Sequence, residues 1–413
     1  MVTYRPVQPP VSILGLGVIS AFGTSHDAFR DALIEGRTGI GSIRSFDTQG
    51  CRTTLGAPVT AFEPATWISP MKLRRMDPTA AYAVAAARLA LDDARWPTAA
   101  GGDDNAGVVL GTWTGGGQVT QEYLAALFRG GPSGAPALLF NSTVANAAAS
   151  LAGLEFGFRG PNTTITHKEA SGLAAIVTAV ELVRAQRASG LVTGGVDALY
   201  EIFFKTHDRF RVMAPEAAFS RAVAPFDRER AGFVLGEGGY VLWIEPGNDW
   251  RARGAEAYGE ILGVGASSAA VSINAWPDKS AALVRTMRLA LEDADLRAED
   301  VHVVYASANA TRALDAVEAE ALTELFGGAS TVVTSIKGAL GEFGASGGAA
   351  CVAALVCGRA RQVPPVAGLV EPDPGTASLN IAREVTAAPG PIALVNSFAS
   401  GGALFSAVLR AAW

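Results

Sequence analysis

Cysteine is almost missing from this chain: Cys51, Cys351 and Cys357 are the three present in 413 residues. Their spacing fits neither a metal site nor a disulfide framework, and such sparing use points to a reducing, cytoplasmic setting. An excess of positive charge is missing too. Lys and Arg number 33 against 39 Asp and Glu, giving a formal charge of -6. No basic footprint is available for nucleic acid or an anionic membrane. The same balance is unhelpful for an acidic protein partner, so docking of one requires a local patch or a second subunit. Apolar runs approaching the roughly 20 residues that span a bilayer are absent as well. Met1–Gly23 carries one early Arg and an apolar stretch, but Gly15, Gly17 and Gly23 break it and no small-residue cleavage site follows. It reads as a strand and not as a leader.

What is abundant is small and apolar. Hydrophobic residues make up 49%, with 47 Gly and heavy Ala use, which suits a compact α/β protein with close helix–sheet packing. The length allows roughly two to three domain equivalents. Patterning predicts strands at Val11–Ile19, Ala106–Gly111, Gly190–Gly195 and Tyr240–Glu245, and helices at Asp27–Glu35, Asp77–Asp93, Gln118–Phe128, Asn141–Leu151 and Leu173–Ala188. Glu245–Ala257, polar and carrying Pro246 and Gly247, is the candidate linker. Beyond it the order repeats. Strands are predicted at Glu260–Gly265, Val301–Ala306, Thr331–Ser335, Ile392–Asn396 and Ala403–Leu409. Helices are predicted at Ser280–Ala294, Asp315–Phe326 and Gly347–Cys357. Two similar βαβ halves suggest a pseudo-twofold duplication.

The centre of the chain is Gly160–Ile176. A Gly-Pro turn leads into the β-branched run Thr163–Thr166, read as a buried strand, and a sharp turn opens a helix near Ala170. Strand, tight turn and helix form an elbow that pushes the residue at the bend out of the sheet toward a helix N-terminus. That residue is Glu169. His167 and Lys168 flank it; His167 is expected to be a structural histidine.

These features resemble the β-ketoacyl synthase family from end to end. The motifs are Gly15-Leu16-Gly17-Val18 with Gly36–Ile40, Lys72–Asp77, Asn141 with Ala145–Ala148, Gly160-Pro161, Gly194-Gly195, Pro225-Phe226-Asp227 and Gly236-Glu237-Gly238. The resemblance implies an α/β, thiolase-like fold: two pseudo-duplicated αβαβα halves with mixed five-stranded sheets, residues 1–250 and 251–413. It also implies what has been lost. Active members place a Cys at the elbow and two histidines that stabilise an enolate. Here those positions read Glu169, Ser307 and Glu342, with Lys337 kept. The C-terminal gate has become Asn396-Ser397-Phe398-Ala399-Ser400-Gly401-Gly402.

A carboxylate cannot replace the thiolate, since its acyl product would be an anhydride. The pattern is similar to that of the chain-length factor, or KSβ, the inactive partner in type II polyketide synthases, although those subunits usually carry Gln where Glu169 stands. No catalytic residue, metal or cofactor is then expected. Glu169 fills a dead pocket, and Lys337 pairs with Glu342 or Asp315. The implied partners are a homologous active ketosynthase α subunit and an acyl carrier protein with its polyketide. Gly117, Thr120 and Leu124 share one helix face; the resemblance puts that face at the dimer interface, where it either lines the polyketide tunnel or simply packs. The resemblance also implies an edge strand shared across the dimer, with Thr163–Thr166 as the candidate. Two other readings stand beside this one: a malonyl-carrier decarboxylase and a freestanding acyl-binding scaffold.

Overall fold

The computed structural model describes residues 8–97, 102–216, 223–247 and 249–413. The first seven residues of the leader-like segment and position 248 of the candidate linker lie outside these. Among the described residues, eleven strands form one mixed sheet. In the first half, β1 (Val11–Ile19), β2 (Ala106–Gly111), β3 (Asn162–Ile165), β4 (Gly190–Asp197) and β5 (Gly238–Pro246) lie in the order β3-β2-β4-β5-β1. The second half contains β6 (Gly259–Ser268), β7 (Val303–Tyr305), β8 (Val332–Thr334), β9 (Asn380–Ile381), β10 (Ile392–Phe398) and β11 (Ala403–Ala411). Their order is β9-β8-β7-β10-β11-β6. Without the added edge strand β9, the two halves repeat the same order and the same parallel and antiparallel pairings.

The helices complete a five-layer arrangement. α1 (Pro78–Asp93), α2 (Gly117–Gly130), α3 (Ala147–Phe156), α4 (Ser171–Arg184) and α5 (Glu201–Phe210) belong to the first half. The second half supplies α6 (Ala281–Asp293), α7 (Arg312–Phe326) and α8 (Ser346–Arg359). α4 and α8 share one central core with side chains from both halves of the sheet. α1 and α3 cover the outer face of the first half, and α6 and α7 that of the second. Alanine makes the close approach possible. A Cβ on Gly15 or Gly17 would collide with the Ala90 or Ala86 carbonyl of α1, so β1 and α1 pack backbone to backbone. Asp77 caps α1 through Thr79 N (2.9 Å) and also accepts from Val119 N of α2 (3.1 Å).

Several expectations are corrected. The second half carries six strands where five were expected, β9 being the addition, and the halves join where β1 and β6 pair antiparallel at Val11↔Ile261, Ser12↔Glu260 and Ile13↔Gly259. The helix expected at Asn141–Leu151 starts only at Ala147, since Asn141–Asn146 is held as turn, with Ser142 Oγ donating to Arg75 O at 2.6 Å. The candidate linker is docked. Buried Trp250 donates to Ser12 Oγ (3.1 Å), and Arg253 pairs with buried Glu245. The elbow strand β3 is not buried but is the half-exposed outer edge of the whole sheet.

Candidate functional site

The elbow forms as the sequence dictates. β3 ends at Ile165, Lys168 takes a left-handed backbone (φ 49°), and one 3-10 turn, Lys168–Ala170, runs into α4. Glu169 is thereby turned inward and is 2% exposed. Its carboxylate accepts from Ser400 N (3.1 Å) and Ser400 Oγ (2.9 Å). Lys168 Nζ donates to Ile273 O, Asn274 Oδ1 (2.9 Å) and the same Ser400 hydroxyl that binds Glu169 (3.3 Å). Burial, then repulsion from Glu342, pushes the Glu169 carboxyl up to about 7. His167 stays outside this group, its ring packed on Phe405 at 5.5 Å.

The other degenerate positions form one network behind the elbow. Lys337 Nζ donates to Glu342 Oε2 (2.7 Å) and Ser307 O (2.8 Å). Glu342 also accepts from Asn309 Nδ2 (2.8 Å) and Ser346 Oγ (3.0 Å). Ser307 Oγ accepts from Phe398 N (2.9 Å). Of the two partners open to Lys337, the structure selects Glu342; Asp315 lies beside Arg230 instead (3.4 Å). Glu318, at the end of this network, accepts from Ser307 N (2.9 Å) and Asn396 Nδ2 (3.1 Å) through Oε1. Its Oε2 is buried with no hydrogen-bond partner, and burial pushes its carboxyl up to about 7, that of Asp315 to about 6. These side chains are spent on one another.

A cavity of about 640 Å³ opens onto the elbow. Glu169, Lys168 and Ser400 line it, together with Trp113, His207, Phe210, Arg211, Phe233, Trp276 and Arg312. Ser307, Lys337 and Glu342 are not on its walls. Gly117, Thr120 and Leu124 are not on its walls either. A Cβ at Gly117 would run into the Tyr200 ring of the same chain. Thr120 Oγ1 lies within hydrogen-bond distance of Gly116 O (2.7 Å) and Thr143 O (3.0 Å), to one of which it donates, and Leu124 is 39% exposed. His207 is the residue that sequence reasoning passed over. Its helix α5 was not foreseen, and only the fold brings it to a cavity shared with Glu169.

The chain belongs to the β-ketoacyl synthase family: the family's N-terminal domain model matches residues 8–248, and its C-terminal domain model matches residues 258–370. Among its relatives is 3-oxoacyl-[acyl-carrier-protein] synthase 2 of Synechocystis sp., 32% identical over 95% of this chain and 95% of the relative. Another is the tetracenomycin polyketide synthase ketoacyl synthase beta subunit of Streptomyces glaucescens, 33% identical over 89% of this chain and 90% of the relative. The solved ishigamide ketosynthase/chain length factor is similar over 98% of this chain and 100% of that chain, with a TM-score of 0.90 and 29% identity.

Proposed function

We propose that this chain is a non-catalytic chain-length factor of a type II polyketide synthase, with ketosynthase-like halves 1–250 and 251–413. It pairs with a homologous active ketosynthase and shapes the cavity that holds the carrier-bound polyketide. One observation carries the reading: the position that would hold the acyl group is Glu169, clasped by Ser400, while Ser307 and Glu342 are consumed in the network around Lys337. No group is left to form a thioester or to stabilise an enolate. Similarity to a polyketide ketoacyl synthase beta subunit and to a ketosynthase/chain length factor supports it. Protonated Glu169 also presents one acceptor and one donor, as the amide usual in such subunits would.

The test is co-expression with a synthase that retains its Cys and both histidines, followed by intact-complex mass measurement. A one-to-one complex is expected, with no decarboxylation of malonyl carrier protein by this chain alone. Glu169→Cys alone should stay inactive, because Ser307 and Glu342 remain. A second reading, malonyl-carrier decarboxylation, draws on the protonatable Glu169 at a cavity wall. Turnover by the isolated chain that disappears in Glu169→Ala would replace the first reading with this one.

A further inference from the structure

The floor of the cavity at the elbow is the Glu169 carboxyl, which cannot hold an acyl group as a thioester. Whatever enters it therefore binds reversibly. Its volume of about 640 Å³ lies in the range of small-molecule sites. The walls are flat. Trp113 meets the His207 ring at 5.1 Å and the Phe203 ring at 5.0 Å, both edge to face. His207 in turn meets Phe233 at 6.3 Å and Phe210 at 6.5 Å, and Trp276 adds a further wall. Rings fixed in this herringbone offer faces and edges to another ring more readily than they grip a flexible chain.

Polar groups are few and sorted by depth. Glu169 is buried within, and His207 Nδ1 is engaged with Phe203 O (2.8 Å), which leaves Nε2 as the ring's second polar atom. Arg211 and Arg312 are exposed cavity residues; among the described residues neither forms a salt bridge, although Arg312 donates to Arg228 O (3.5 Å) and, after Arg230, helps hold the Asp373 carboxyl down. Lys168 is already committed to Ile273, Asn274 and Ser400. The cavity thus has an aromatic interior, a hydrogen-bonding inner end at Glu169 and two guanidinium groups outside any salt bridge on its exposed side.

We propose that this cavity is a reversible binding site for a free, planar aromatic anion. The ring system lies among Trp113, Phe233 and Trp276, a ring hydroxyl or carbonyl meets Glu169, and the anionic group remains at Arg211 and Arg312. The proposal does not rest on pairing with a synthase, since each group it invokes belongs to this chain.

Calorimetric titration of the full chain, alone or in its co-expressed complex, tests this with 6-hydroxy-2-naphthoate as the probe. Octanoate and coenzyme A serve as comparators for a flexible apolar anion and a phosphate-bearing thiol. Saturable naphthoate binding is expected, at least tenfold tighter than octanoate. Arg211→Gln with Arg312→Gln should weaken it about tenfold, and both positions are exposed, so folding should be kept. Glu169→Leu should weaken the hydroxynaphthoate but not 2-naphthoate, which lacks the hydroxyl. Absence of saturable naphthoate binding to folded protein overturns the proposal. So does octanoate or coenzyme A binding as tightly, or an unchanged affinity in the double arginine variant. A chain that binds naphthoate yet forms no complex with a synthase would keep this site and sink only the chain-length reading.

Discussion

At the scale of single residues, the site is a set of buried carboxyls, of which Glu169 lines the cavity. Glu169 ordinarily titrates near 4.5 and here near 7, chiefly through burial. Its folded-state value is raised, so the folded chain keeps a proton that the unfolded chain releases. Stability from this group is greatest at low pH, falls as pH climbs from about 4.5 to about 7, and stays lost above. A shift of this size corresponds to an effect on the order of 3 kcal/mol. Glu169→Gln cannot ionise and keeps an acceptor for Ser400. Urea unfolding should show the variant gaining on the parent chain between pH 5 and pH 8; an equal difference at both would mean that Glu169 does not titrate there. The neighbouring pair behaves differently. Lys337 and Glu342 are both buried and each satisfies the other, at 2.7 Å. Lys337→Met strands a buried carboxylate and should cost about 3–5 kcal/mol. Adding Glu342→Gln should recover most of the loss. A double variant no more stable than the single one would show that the pair's value lies in packing and not in charge.

At the scale of elements, the helix α2 shows what sequence periodicity leaves open. Gly117, Thr120 and Leu124 do share a face by periodicity, but periodicity does not say what the face meets. Gly117 meets Tyr200, which is three-dimensional information carried by a loop more than 80 positions away. Gly117→Ala should cost about 1–3 kcal/mol by overpacking, and Tyr200→Ala should relieve it in a double-mutant cycle. Additive losses would mean that the two positions do not collide. Other elements were legible. β1 and β2 run over Val11–Ile19 and Ala106–Gly111 as expected, because short, largely apolar runs that end buried along their whole length leave few alternatives. The elbow was legible for the same reason, with Glu169 at its bend. Helix α5 was not, since Ile202, Phe203, Phe204, Thr206 and Phe210 are weak helix formers and its stability comes from Phe204 buried in a satellite core. The ring cluster around His207 depends on that helix and was hidden with it.

At the scale of the whole molecule, one side remains unfinished. β3 is the outer strand of the eleven-stranded sheet, and Thr164 Oγ1 on it is buried without a hydrogen-bond partner. The chain also exposes apolar side chains at Leu124, Phe128, Leu138, Phe140, Val144 and Leu154, the last on α3, which packs on β3. A β-branched edge beside such a surface is a liability unless another chain covers it. Alternation along the strand identifies which groups are free for that. The carbonyls of Pro161 and Ile165 accept from Val108 N and Thr112 N of the neighbouring β2 side, so the backbone of Thr164 faces outward. Proline at an outward-facing edge position removes a donor without touching the inner ladder. Thr164→Pro should therefore keep its fold, seen as an unchanged unfolding midpoint within about 1 kcal/mol. It should also lose most of its co-purification with the synthase partner. Thr163→Pro, one position away, interrupts the inner ladder and should lower the midpoint clearly. Thr164→Pro that still co-purifies as fully as the parent chain would mean that the partner docks elsewhere, on the apolar helices alone and not through the sheet edge.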